Sequence, residues 1–210
     1  MPEIQLMVVD LYHGDRVIAF AQARQAGIRG IIHKASQGVD DTDPRYAVRR
    51  RRALDAGLLW GAYHFGTDDD ADAQVSHFLA AAAPDASTLV ALDYEPNGER
   101  TMSLDQARQF LTAIEDRLGR KAVLYSGSLI KQQLGDQADP FFGSHRLWLA
   151  EYGPEPHVQA SWSAPWLWQY SGDGIGPEPK YVPGIPGADG TVDCNSYAGS
   201  PDELAEEWAS

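Results

Sequence analysis

Along the 210-residue chain, short runs of consecutive apolar residues alternate with stretches whose apolar positions recur every three or four residues. The first kind reads as strands buried on both faces, the second as amphipathic helices. Strands are predicted over 5–10, 30–35, 58–65, 88–92 and 122–125, with helices over 16–26, 44–56, 69–83 and 104–118 between them. Asp43 is a candidate N-cap, Pro44 suits a first helical turn, and Gly57 suits a helix end. Ser103-Leu104-Asp105-Gln106 reads as a capping box. Beyond 125 the helical signal fades to a short stretch over 129–134. Strands at 146–152, 166–170 and 191–195 then follow one another through Gly/Pro-rich loops, before a short helix capped from Ser200. Alternating strands and helices argue for parallel βα units. About eight strands with about five helices between them predict an α/β fold, a modified TIM-like barrel rather than a doubly wound sheet. No internal repeat or interdomain linker is evident, so residues 1–210 read as a single domain.

Composition narrows the function. A hydrophobic content of 43% supplies one sizeable core, and no apolar run is long enough to span a bilayer. The start, Met1-Pro2-Glu3-Ile4, lacks the basic and apolar regions of a secretory leader. The single cysteine, Cys194, allows no intrachain disulfide and no cysteine-based zinc site. A formal net charge of −13 argues against nucleic acid and anionic membrane surfaces as partners. The run Arg49-Arg50-Arg51-Arg52 reads as a solvated helix face.

The chemistry is concentrated where strands end. Val90-Ala91-Leu92 runs into Asp93-Tyr94-Glu95, Val8-Val9 into Asp10, and Thr191-Val192 into Asp193. A parallel barrel gathers strand ends on one face, so acids distant in sequence would converge there. Asp93 and Glu95 are i and i+2 on an extended chain, which points both to one side with Cβ atoms roughly 6 to 7 Å apart. Like charges so close cannot both ionise freely, and a protonated acid beside an ionised one is what glycoside cleavage requires. The same acids could instead be surface groups, or could hold Mg²⁺ or Ca²⁺. The six histidines show no H-E-x-x-H spacing. Neither Ser126 nor Ser171 lies in G-x-S-x-G, and the glycines after Ser171 lack the Gly-Lys-Ser/Thr of a phosphate loop. Trp148, Tyr152, Trp166, Trp168 and Tyr170 crowd the last strands, while Tyr63, Phe65 and Tyr125 sit near earlier strand ends. Such rings either fill a core or offer flat faces to sugars.

Several segments, in order along nearly the whole chain, resemble the glycoside hydrolase family 25 lysozymes, the Chalaropsis-type muramidases. Val9-Asp10-Leu11 is similar to the family's opening motif, and Gly30 to Gly38 to its "viiKATEG" segment. Gly61-Ala62-Tyr63-His64-Phe65 matches "GaYHF", and Leu92-Asp93-Tyr94-Glu95 the Asp-x-Glu signature. Leu124-Tyr125-Ser126, Leu147 to Tyr152, Trp168-Gln169-Tyr170 and Val192-Asp193-Cys194-Asn195 resemble the later motifs.

The resemblance implies a (β/α)5(β)3 barrel, without a separate cell-wall-binding domain. It implies hydrolysis of the β-1,4 bond from N-acetylmuramic acid to N-acetylglucosamine in peptidoglycan, with no cofactor and no metal. By position Glu95 would be the general acid and Asp93 the assisting carboxylate, with Asp10 and Asp193 completing an acidic floor. Tyr63, Phe65, Tyr125 and Trp168 would line the sugar groove, joined by Lys34, Tyr152 and Gln169. The partner would be a peptidoglycan glycan strand, met by a monomer outside the cytoplasmic membrane, with no nucleic acid and no membrane insertion. Two segments depart from the pattern: Asp10-Leu11-Tyr12-His13-Gly14 lacks the family's Ser, and Gln37 replaces a glutamate. Two other classes stay open, a non-catalytic glycan-binding barrel and a metal-dependent barrel hydrolase.

Overall fold

Strands apolar on both faces need cover on both, and a sheet closed into a barrel within a ring of helices supplies it. Such a barrel forms in the computed structural model, which describes residues 4–210; Met1 to Glu3, part of the segment read for a leader, lie outside them. In chain order come β1 (Leu6–Leu11), α1 (Phe20–Gln25), β2 (Gly30–Gln37), β3 (Asp41–Thr42), α2 (Tyr46–Asp55), β4 (Leu59–Phe65) and α3 (Ala71–Ala82). There follow β5 (Leu89–Asp93), α4 (Leu104–Leu118), β6 (Val123–Ser126), α5 (Ser128–Leu134), β7 (Leu147–Ala150), β8 (Leu167–Ser171), β9 (Asp193–Ser196) and α6 (Pro201–Glu207). Strands β1, β2, β4, β5, β6, β7 and β8 pair in parallel in that order. β9 closes the barrel antiparallel to both β8 and β1. The expected eight-stranded modified barrel is therefore present, with α1 to α5 between strands and α6 after the last. The two-residue β3, a hairpin return on the end of β2, is too short to leave a periodic signal.

Alternation along each strand sorts the core into two layers. Val9, Ile31, Trp60, Val90, Leu92, Leu124 and Leu149 point outward and pack beneath the helices with Phe78, Phe110 and Ile114. Val8, Ile32, Leu89, Ala91, Val123 and Leu167 point inward and fill the end where the parallel strands begin. Trp208, just past α6, plugs that end and donates its indole N–H to the Trp60 carbonyl at 2.8 Å. Gly30 makes room for it, since a Cβ there would sit 2.5 Å from the Trp208 ring. The apolar plug leaves the opposite end of the barrel free for polar groups.

Tertiary contacts override local signals at three places. α1 begins at Phe20 rather than near Arg16, because the N–H of Arg16 bonds the Gly187 carbonyl and those of Ile18 and Ala19 bond Gly184. Asp43 does not cap α2: its carboxylate takes N–H groups from His13 (2.7 Å) and Arg45 (2.8 Å), and the helix starts at Tyr46. The arginine run is not one solvated face. Arg49 is buried and donates to the carbonyls of Tyr12 and Asp15 and to His33 Nε2, while Arg50 bonds Ala82, Ala83 and Asp85 beyond α3. The two serine capping boxes form as their sequences predict, at Ser103 before α4 and at Ser200 before α6.

Candidate active site

At the open end of the barrel lies a cleft of about 170 Å³ lined by Asp10, Tyr63, Asp93, Glu95, Tyr125, Trp148, Tyr152, Asp173 and Asp193. A larger groove of about 370 Å³ between α3 and α4 is shallow, and its Arg108 is tied to Asp139 at 2.7 Å. Of these two, the first gathers acids from strand ends.

Each acid arrives by strand geometry. Asp93 ends β5, and the backbone stays extended past it because the Tyr94 N–H bonds the Tyr125 carbonyl at 2.9 Å. Tyr94 is therefore driven outward into the core, and Glu95 returns to the side of Asp93. Asp10, near the end of β1, lies directly opposite Asp193 in the ladder. The sequence pattern places Asp193 at the end of a strand; it is instead the first residue of β9. Because β9 runs backwards relative to the others, its first residue lies at the same face as their last ones.

A chain of hydrogen bonds holds the floor. Asp10 accepts from Gln169 Nε2 (2.9 Å) and Asn195 Nδ2 (2.7 Å). Gln169 Oε1 in turn accepts from the Tyr125 hydroxyl at 2.8 Å, and Asn195 Oδ1 from the Trp148 indole at 2.6 Å. The donors orient Asp10 but do not offset its burial, which pushes its carboxyl up to about 7. Burial, then the charge of Asp10, pushes Asp193 up to about 8.

Asp93 is only 5% exposed, and its Oδ1 is buried without a donor partner. The carboxyl of Glu95 lies beside it in the lining, and two like charges so close favour one proton held by the pair. Burial raises both groups above the usual carboxylate range. The charge of Glu95 raises Asp93 further, so the deeper Asp93 is the more strongly raised of the two.

The structure brings Asp10, Asp93, Glu95, Asp193, Tyr63, Tyr125 and Tyr152 into one lining, with Gln169 bonded beneath it. It does not bring Trp168 there. On β8 the residues alternate, so with Gln169 facing inward Trp168 faces out; it is buried among helix-side residues and donates to the Glu151 carbonyl at 2.8 Å. Lys34 and Phe65 stand beside the cleft rather than in its lining, the ammonium 5.2 Å from the ring centre and bonded to Gln37 Oε1. The charge of Lys34 nevertheless lowers Asp93. The sequence names Trp148 among the late aromatics and Asn195 in a motif but singles out neither, nor Asp173, as a site residue. The first two were reachable from strand alternation, one facing inward on β7 and the other two residues past Asp193; Asp173 sits in a loop and carries no such signal. Among the described residues no three His, Cys, Asp or Glu side chains converge closely enough to ligate a metal ion.

The chain matches the family model described as glycosyl hydrolases family 25 over residues 9–178. It is 25% identical to Lysozyme M1 of Streptomyces globisporus over 212 residues, spanning 93% of this chain and 69% of that protein. It is 26% identical to an autolytic lysozyme of Clostridium acetobutylicum over 168 residues, 79% of this chain but half of that protein's length. The bacterial lysozyme structure from Streptomyces coelicolor superposes with a TM-score of 0.82 at 26% identity, covering 99% of both chains.

Proposed function

The chain belongs to family 25 of the glycosyl hydrolases and acts as a peptidoglycan hydrolase, and from that premise we propose that it cuts the β-1,4 bond from N-acetylmuramic acid to N-acetylglucosamine. The observation that carries this reading is the pair Asp93 and Glu95, side by side in one sugar-sized cleft that raises both carboxyls. Glu95, the less buried of the two, is the proton donor to the departing oxygen. Asp93 is the assisting carboxylate, placed in the cleft lining to take the N–H of the substrate's 2-acetamido group. A hydrogen bond to the charged form of a carboxylate favours that form. Binding therefore ionises Asp93 and passes the shared proton to Glu95, arming the acid only when substrate is in place. The C1–O bond then breaks with its electron pair on the departing oxygen, which takes the proton from Glu95. Water supplies hydroxide to the sugar, and its proton returns to the carboxyl pair. Asp10 and Asp193 form the floor, and Tyr63, Tyr125, Tyr152 and Trp148 supply ring faces and hydroxyls for the sugars.

Peptidoglycan as substrate puts the work in extracellular or periplasmic space, where we take the chain to act as a monomer. Mass spectrometry of digested peptidoglycan tests the bond: muramic acid at the new reducing ends is expected, and glucosamine there would overturn the assignment. Glu95→Gln should lower hydrolysis by about 10²-fold or more while leaving the fold and sugar binding intact. Binding of muropeptides by the wild-type chain with no new reducing ends would favour the glycan-binding alternative.

A further inference from the structure

Among the cleft's five carboxylates, Asp173 does not come from a strand end. It sits in the four-residue turn Gly172–Ile175 after β8, where the Gly172 N–H bonds the Ile175 carbonyl at 3.1 Å and the Ile175 N–H bonds that of Gly172 at 2.8 Å. Asp173 holds a left-handed backbone, φ 51°, which side chains other than glycine rarely adopt. The turn is pressed onto the cleft: a Cβ on Gly172 would sit 2.4 Å from the Tyr152 hydroxyl, and one on Gly176 2.4 Å from the Tyr170 carbonyl. The Ser171 hydroxyl ties it down at the Ile175 carbonyl, 2.9 Å. Held there, Asp173 gives its backbone N–H to Asp193 Oδ1 at 3.3 Å and adds its carboxylate to the lining that contains Glu95.

We infer that Asp173 is a positioning residue for the proton donor, a loop-borne negative charge that helps Glu95 keep the proton it receives when substrate binds. The inference takes the reading of Glu95 as proton donor for its premise. The groups that face Glu95 are Asp93 on β5, Asp10 on β1, Asp193 on β9, Tyr63 on β4, Tyr125 on β6, Tyr152 after β7 and Asp173. The tyrosines are raised by burial and stay neutral, so the field on Glu95 is set by carboxylates. Asp93 acts on Glu95 through the shared proton and pulls it down, whereas the charge of Asp173 pushes it up. Lys34 acts on Asp93, and Lys180 is held by the Gly174 carbonyl at 3.2 Å and by Glu178 at 3.8 Å. Unlike the strand-end acids, Asp173 is exposed to water, while Glu95 sits deeper.

Carboxyl ¹³C titration of Glu95 in the wild type and in Asp173→Asn reads the effect directly. The substitution keeps the backbone N–H to Asp193 and removes the charge, so the Glu95 midpoint should fall by about half a pH unit. The alkaline limb of kcat/KM should fall with it. Asp173→Gly, suited to the left-handed backbone, should give the same shift and keeps the test alive if the amide variant folds poorly. A role confined to bracing the turn would lower Tm and leave the midpoint where it was. An unmoved Glu95 midpoint in folded Asp173→Asn and Asp173→Gly overturns the inference. A wild-type chain that releases no reducing ends would overturn the functional reading instead, and the titration still judges Asp173.

Discussion

Burial raises the Asp10 carboxyl to about 7 and that of Asp193 to about 8, from 3.8 for an ordinary aspartate. The folded chain therefore holds protons between pH 4 and 8 that the unfolded chain has already released. Stability falls with rising pH wherever the folded state binds more protons, so these acids destabilise the fold as pH climbs through that window. This is the reverse of a salt-bridged aspartate. Asp193→Asn should raise Tm by about 5 °C at pH 8, roughly 2 kcal/mol, and leave it unchanged at pH 4. Thermal unfolding at the two pH values checks this, and an equal gain at both would sink the account. Asp10 and Asp93 were legible in the sequence because each follows an unbroken apolar run, and Glu95 because a period of two returns it to the side of Asp93. Trp168 was misplaced because its motif says that it belongs to a strand but not which face it occupies. One residue of register sends it to the helices instead of the cleft.

Among the elements, α2 does more than cover the barrel. Arg49 leaves that helix to bond the carbonyls of Tyr12 and Asp15, bracing the β1–α1 loop, and those two residues wall a recess of about 150 Å³ that shares Asp173 and Asp193 with the cleft. His33 fits the same brace: burial lowers it to about 4, so it is neutral, with Nδ1 bonded to the Lys34 carbonyl and Nε2 left to accept from Arg49. Arg49→Ala would take the donor from two half-buried carbonyls and the buried His33 Nε2, and should cost about 3 kcal/mol. Arg49→Lys should recover only part of it, since an ammonium cannot reproduce the fork. Urea unfolding checks the cost, and limited proteolysis should find new cuts over residues 12–19. An unchanged unfolding midpoint would remove the brace. Helices with strong caps, α4 above all, were readable from sequence; α1 was overextended because nothing local announces that Gly184 and Gly187 take its first backbone groups. The direction of β9 was also hidden. A four-residue strand after a long Gly/Pro loop carries no mark of which way it runs.

For the whole molecule, the barrel separates what stabilises it from what reacts. The outer apolar layer and the Trp208 plug bury the core, so the open end can hold five carboxylates in a lining without Lys or Arg among the described residues. That negative field adds to a formal net charge of −13. Approach to a cell wall carrying anionic polymers is therefore opposed over the range of the field, which is about 30 Å at 0.01 M salt and shrinks to about 10 Å at 0.1 M. A glycan strand bound as proposed would meet the acids at contact distance, where salt screens little. Hydrolysis of walls bearing teichoic polymers should thus be slower at low salt than hydrolysis of the same walls stripped of them, and about 0.3 M salt should close most of the gap by speeding the first. Initial rates of turbidity loss on the paired substrates across a salt series measure it. A gap that persists unchanged to high salt would mean that the polymers block the strand sterically, and that the charge of this chain has no part in its choice of wall.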